Sequence, residues 1–309
     1  MQGRSSPITF SLKRDLRINR DVSKGRFLSC VSPRIPLSSA TAMEQTSTPQ
    51  SGADQEPVPR ASASTGTIVV TGAAGAIGSA VANAFLDRSY AVIGIDVQSV
   101  VDVRPSTYRH VVADVRELDE LRDVAASLGD TPLRHVVGVA GGALPEEVVA
   151  KDVDDLELGV FRRSLDLNLV SQYATVRAFL PSLRAAPSGR DRSITAISSL
   201  NALLGMDMPA YSAAKAGLIG MVRVLARMLG PEAIRVNAVA PGTVRTPRTE
   251  GIWRDDPGHF ERLEAQAPLG RLTTSAEVGR AVCSLALDLT AVTGQVLVVD
   301  SGQSALWKY

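Results

Sequence analysis

"TIVVTGAAGAIGSA", residues 67–80, runs five β-branched residues straight into three evenly spaced glycines, Gly72, Gly75 and Gly78. β-Branched side chains suit a buried, pleated strand. Ile77, Val81 and Phe85 then recur at i, i+4 and i+8, the spacing of one helix face. A strand that turns through glycine into a helix keeps side chains off the helix N-terminus, so backbone N–H groups can face a pyrophosphate. A glycine triplet alone also marks an ordinary strand-to-helix turn, so the rest of the chain decides between the two.

Similar apolar runs recur at 91–96, 110–113, 135–140, 193–198, 234–239 and 296–300, with helical segments between them. Leu118, Leu121, Val124 and Leu128 share one helix face, and Thr274 with Glu277 forms a capping box ahead of Val278, Val282 and Leu285. Strands that are apolar throughout and alternate with amphipathic helices call for a parallel sheet covered on both faces. The expected fold class is therefore α/β: a Rossmann-like, doubly wound parallel sheet of about seven strands in a single domain over residues 66–309.

Residues 1–65 read differently. Residues 1–42 carry Arg4, Lys13, Arg14, Arg17, Arg20, Lys24, Arg26 and Arg34 against Asp15 and Asp21, and residues 43–66 are polar and rich in Ser, Thr, Pro and Gly. The expectation is a disordered basic and polar extension. An organellar targeting segment and a dispensable tail, with Met43 as an alternative start, are both open readings.

Across the 309 residues, 33 Lys and Arg stand against 32 Asp and Glu, a net charge of +1 that favours neither nucleic acid nor an anionic membrane as a partner. The cysteines, Cys30 and Cys283, form no spaced cluster with the three histidines, so neither a disulfide framework nor a metal site is indicated. No run approaches the roughly 18 apolar residues of a membrane-spanning helix. A cytoplasmic protein is expected.

Asp96 closes the second apolar run about 20 residues past the glycines, where a carboxylate accepts hydrogen bonds from ribose hydroxyls and repels a 2′-phosphate. This predicts NAD over NADP. Further along, "ITAISSLNALLGMDMPAYSAAKAGL", residues 194–218, places Tyr211 and Lys215 four apart on one helix face, after a strand that ends in Ser198 and Ser199. An ammonium beside a phenol favours the phenolate and lowers its pKa, as a proton-transfer residue requires.

With these motifs in this order, the chain from about Thr67 to Leu306 resembles the short-chain dehydrogenase/reductase superfamily, in its compact single-domain branch. The resemblance implies that Tyr211 is the catalytic acid/base, that Lys215 holds the ribose and tunes Tyr211, and that a serine polarises the substrate oxygen. Ser199, which matches the local pattern, is the expected catalytic serine, and Ser198, which has the commoner spacing, is the alternative. Asn168 in "SLDLNLVS" matches the asparagine that keeps a proton-relay water in place. Cofactor contacts implied are Gly72, Gly75, Ala76, Ile77, Gly78, Asp96, Asp114, Val115, Ala140, Gly141, Tyr211 and Lys215, with Pro241, Gly242, Val244 and Thr246 from "APGTVRTP" along the nicotinamide. Four positions depart from the family pattern: Ala76 in place of a glycine, Val139 in place of a side-chain amide, the serine-to-tyrosine spacing, and Ser301 in place of a glycine.

The implied reaction is hydride transfer between a secondary alcohol or ketone and NAD. An acyl-carrier-protein ketoreductase and a non-catalytic NAD-binding sensor are the alternatives. Residues 247–270, with Trp253, His259 and Phe260, occupy the place of a lid. The family resemblance also implies a homotetramer or homodimer built on helices near 156–183 and 210–229.

Overall fold

The computed structural model describes residues 66–100, 105–187 and 191–306. The expectations for residues 1–65, Cys30 among them, lie outside the described residues.

Each of the seven apolar runs forms a strand: β1 (Thr67–Thr71), β2 (Ala91–Asp96), β3 (Tyr108–Val112), β4 (Leu133–Gly138), β5 (Arg192–Ile197), β6 (Ile234–Pro241) and β7 (Val296–Val299). They pair in parallel as one sheet of order β3-β2-β1-β4-β5-β6-β7. The order reverses between β1 and β4, and that is where a doubly wound sheet opens a crevice at its carboxyl edge. The expected run 135–140 overshoots β4, because the N–H groups of Val139 and Ala140 turn to the Thr71 hydroxyl (3.1 and 3.3 Å) instead of continuing the ladder. That hydroxyl ties β1 to β4 where Val139 replaces the family's amide.

The helices are α1 (Ala76–Leu86), α2 (Leu118–Ala126), α3 (Pro145–Val149), α4 (Leu158–Leu165), α5 (Ser171–Ala185), α6 (Pro209–Leu229), α7 (Pro247–Ile252), α8 (His259–Gln266) and α9 (Ser275–Leu287). Alternate residues of β1 feed two separate layers, as the strand period of two requires. Ile68 and Val70 pack with Val81, Phe85, Val278 and Val282 of α1 and α9, while Val69 packs with Leu121, Phe179, Leu183 and Val222 of α2, α5 and α6. Each fully buried aliphatic side chain contributes about 1.5–3 kcal/mol, so the sheet is held from both faces. The Thr274 and Glu277 capping box forms as expected. An ion pair with Arg271, added to the Thr274 hydrogen bonds, lowers the Glu277 carboxyl to about 2.

Candidate active site

The glycine turn is shaped by close backbone contact. Gly72 has φ +68° and Gly78 packs so tightly that a Cβ there would lie 2.0 Å from the Gly72 carbonyl oxygen. Gly75 is exposed at the N-cap of α1, where no side chain caps the first turn. Asp96 reaches this turn and accepts a hydrogen bond from the Ala74 N–H (3.0 Å). Amides open at a helix N-terminus, a glycine at the cap and a carboxylate alongside fit a dinucleotide. Beyond Asp96, Val97, Val112, Ala113 and Asp114 line an open depression at the ends of β2 and β3.

Three expected cofactor contacts have side chains engaged within the protein itself. Asp114 is ion-paired to Arg116, which holds its carboxyl below the usual range. Val115 is buried in the core behind the strand, with 6% exposure. The Thr246 hydroxyl caps α7, accepting from the Thr249 N–H (3.2 Å).

α6 opens with Pro209 at its first turn and presents Tyr211 and Lys215 from one face. Tyr211 is half-buried; the Ser199 hydroxyl lies near enough to its phenol to act on its pKa, and that hydroxyl also accepts from the Asn201 N–H (3.2 Å). Ser198 points the other way, buried, and donates to the Lys215 carbonyl (2.9 Å). The alternation of side chains along an extended segment separates the two serines. Lys215 is buried, its Nζ donating to the Ile197 carbonyl (2.9 Å) and lying 5.6 Å from the Tyr211 ring centre.

The expected lowering of the phenol by Lys215 does not occur. Burial raises the Tyr211 phenol above its ordinary value, outweighing the Ser199 hydroxyl, and burial likewise lowers Lys215 to about 7. The cation acting on Tyr211 is Arg248 of α7.

Asn168 sits in a π-helical turn, Asp166–Val170, joining α4 to α5, and is fully buried. The wide turn aims its amide inward, accepting from the Gly142 N–H (2.7 Å) and donating to the carbonyls of Gly142 and Ser164. A Cβ on Gly141 would stand 2.6 Å from Asn168 Oδ1 and 3.2 Å from Lys215 Nζ, so asparagine and lysine converge on one point of the crevice. Pro241 ends β6, and Gly242 and buried Val244 follow on the same edge.

Residues 72–304 match the family model described as enoyl-(acyl carrier protein) reductase. Among curated proteins, cis-4-hydroxycyclohexanecarboxylate dehydrogenase from Sinomonas cyclohexanicum is 34% identical over 251 residues, spanning 77% of this chain and 96% of that one. An oxidoreductase of the short-chain dehydrogenase/reductase family from Burkholderia thailandensis superposes with a TM-score of 0.71 at 34% identity, covering 78% of this chain and 94% of its own. The chain belongs to the short-chain dehydrogenase/reductase superfamily. Carveol dehydrogenase from Mycobacterium avium, solved in complex with NAD, superposes with a TM-score of 0.68 at 26% identity over 78% of this chain and 98% of that one. As in its relatives, this superfamily member is an oxidoreductase that uses a nicotinamide cofactor.

Two residues of this dehydrogenase/reductase site escaped the sequence reading. Glu147 of α3 is 2% exposed and accepts the Tyr211 backbone N–H (2.7 Å), anchoring the first turn of α6. Arg248 donates to the carbonyls of Gly141 (3.3 Å) and Ala143 (2.7 Å), linking α7 to the loop after β4. Neither lies in a spaced motif; their partners are 64 and up to 107 residues away in sequence. Within residues 247–270, Trp253 stacks on His259 (4.0 Å between ring centres), and His259 also contacts Asp256 and Phe260, so this cluster packs the segment on itself. No group of His, Cys, Asp and Glu among the described residues could hold a metal ion, and no helix among them is long and apolar enough to cross a membrane.

Proposed function

We propose that the protein is an NAD-dependent dehydrogenase/reductase interconverting a secondary alcohol and a ketone, with Ser199, Tyr211, Lys215 and Asn168 as its active site. The observation that carries this reading is Tyr211 set beside buried Lys215, whose ammonium converges with Asn168 on Gly141. In the direction of oxidation, the minor phenolate form of Tyr211, favoured by Ser199 and Arg248 against burial, takes the alcohol proton while the Ser199 hydroxyl donates to the substrate oxygen and steadies its developing charge. The nicotinamide, when bound, supplies the hydride acceptor or donor. Lys215, lowered to about 7, exchanges protons near neutral pH. Asn168, converging with it on Gly141, orders the path by which the proton leaves. Reduction runs the same groups in reverse.

Gly72, Gly75, Ala76, Ile77 and Gly78 would hold the pyrophosphate at the α1 N-terminus, and Asp96 would hold the adenosine ribose. The carboxylate of Asp96 supports NAD over NADP. A ring-borne secondary alcohol is supported by the relative named for a hydroxycyclohexanecarboxylate. An acyl-thioester ketoreductase is the second reading, supported by a relative named as a putative ketoacyl reductase of a granaticin polyketide synthase; a preference for NADPH would be its signature. A non-catalytic sensor has no need of all four polar groups at one point. Exposed apolar side chains on the long helices, Tyr173 of α5 with Val224 and Met228 of α6, support pairing into a homodimer or homotetramer, which light scattering measures.

The test is Tyr211→Phe. It should lower kcat about 10²–10⁴-fold while NAD binding, measured by calorimetry, stays within a few-fold. Turnover near the parent rate would remove Tyr211 from the mechanism.

A further inference from the structure

We infer that the substrate alcohol carries a carboxylate and that Arg248 binds it. This rests on the alcohol–ketone reading and adds to it the charge of the substrate and the residue that reads that charge.

Arg248 lies across the crevice from α7 to the loop after β4, donating to the Gly141 and Ala143 carbonyls. Gly142 makes room for it: a Cβ there would stand 2.6 Å from the guanidinium carbon. The next residue back, Gly141, is where Asn168 and Lys215 converge, so the guanidinium ends beside the reacting centre. Its charge reaches both Tyr211 and Lys215, lowering the pKa of each.

That charge has no local counter-ion. Among the described residues no carboxylate lies within ion-pair distance of the exposed Arg248; exposed Arg254 is likewise without an ion pair and meets only its own segment's Gly251 carbonyl, whereas Arg248 reaches back to the loop after β4 beside the site. The buried acid of the site, Glu147, is engaged by the N–H groups of Leu144 and Tyr211. The two carbonyls that Arg248 meets are neutral and use only part of its five-donor fork. A planar guanidinium with donors to spare takes a carboxylate in bidentate fashion. Exposed and lying against Gly141–Ala143, it attracts an anionic substrate and disfavours a cationic one.

A cofactor phosphate presents the same anionic chemistry, so the test separates the two sources. Binding of cyclohexanecarboxylate and of its uncharged analogue cyclohexanecarboxamide to the NAD-saturated protein is measured by calorimetry for the parent, Arg248→Gln and Arg248→Lys. In parallel, turnover of 4-hydroxycyclohexanecarboxylate and its carboxamide is followed. The parent should prefer the carboxylate by about tenfold, more at low salt than at high salt. Arg248→Gln should lose that preference and Arg248→Lys recover part of it, with NAD affinity alike in all three. Equal affinity for the two probes, no binding of the carboxylate, or a preference intact in Arg248→Gln overturns the inference. Weakened NAD binding in Arg248→Gln with the preference intact would assign the arginine to the cofactor. Failure of the alcohol–ketone reading looks different: neither alcohol turns over in the parent, while the carboxylate preference and its loss in Arg248→Gln stand.

Discussion

The Ser198 hydroxyl donates to the Lys215 carbonyl, while its neighbour Ser199 turns toward the Tyr211 phenol and acts on its pKa. One residue of sequence thus separates a group beside the Tyr211 phenol from one that ties the end of β5 to α6. Ser199→Ala should lower kcat about 10²–10³-fold, the range for losing one donor to a developing oxyanion. Ser198→Ala should leave kcat within a few-fold and cost about 0.5–1.5 kcal/mol of stability through the lost hydrogen bond, because the Lys215 carbonyl keeps its partner within α6. Equal large losses of kcat in both variants would contradict this division.

Asp96 holds the Ala74 and Gln98 amides with its two carboxylate oxygens. Asp96→Asn keeps an acceptor for the Ala74 amide and removes the charge that would meet a 2′-phosphate. The ratio of kcat/KM with NADP to that with NAD should rise about tenfold or more. An unchanged ratio would place cofactor choice elsewhere.

Gly75 and Gly78 should behave in opposite ways on substitution by alanine. At Gly78 the new methyl would collide with the Gly72 carbonyl, so Gly78→Ala should cost about 1–3 kcal/mol by urea unfolding. At Gly75 the nearest atom is an ordinary 3.4 Å away and the position is exposed. Gly75→Ala should keep its Tm and weaken NAD binding, because the methyl stands over the α1 N-terminus.

His135 of β4 is 1% exposed, hydrogen-bonded to the Ser193 hydroxyl (2.8 Å), and burial lowers it from 6.5 to about 4. Between those two values the unfolded chain takes up a proton that the folded one refuses, so stability falls as pH falls through this window. The full effect is about 3 kcal/mol. Unfolding at pH 7 and pH 4 should show the loss in the parent protein and a smaller one in His135→Asn; the same loss in both would exclude His135 as its source.

What the sequence determined is what local patterning controls. Five β-branched residues before a glycine turn, and six further apolar runs with helical stretches between, define a parallel α/β sheet because a strand buried on both faces has no polar alternation to carry. Tyr211 and Lys215 were legible because a spacing of four on a helix fixes a shared face whatever surrounds it. The choice between Ser198 and Ser199 was not legible, because it depends on how β5 turns toward α6. Burial decided the proton chemistry, raising Tyr211 and lowering Lys215, and no spacing rule states how dry a site will be. Glu147 and Arg248 carry no motif at all. They reach the crevice only because α3 and α7 fold back over the carboxyl edge of the sheet, joining residues up to 107 positions apart through backbone groups that exist at every residue alike.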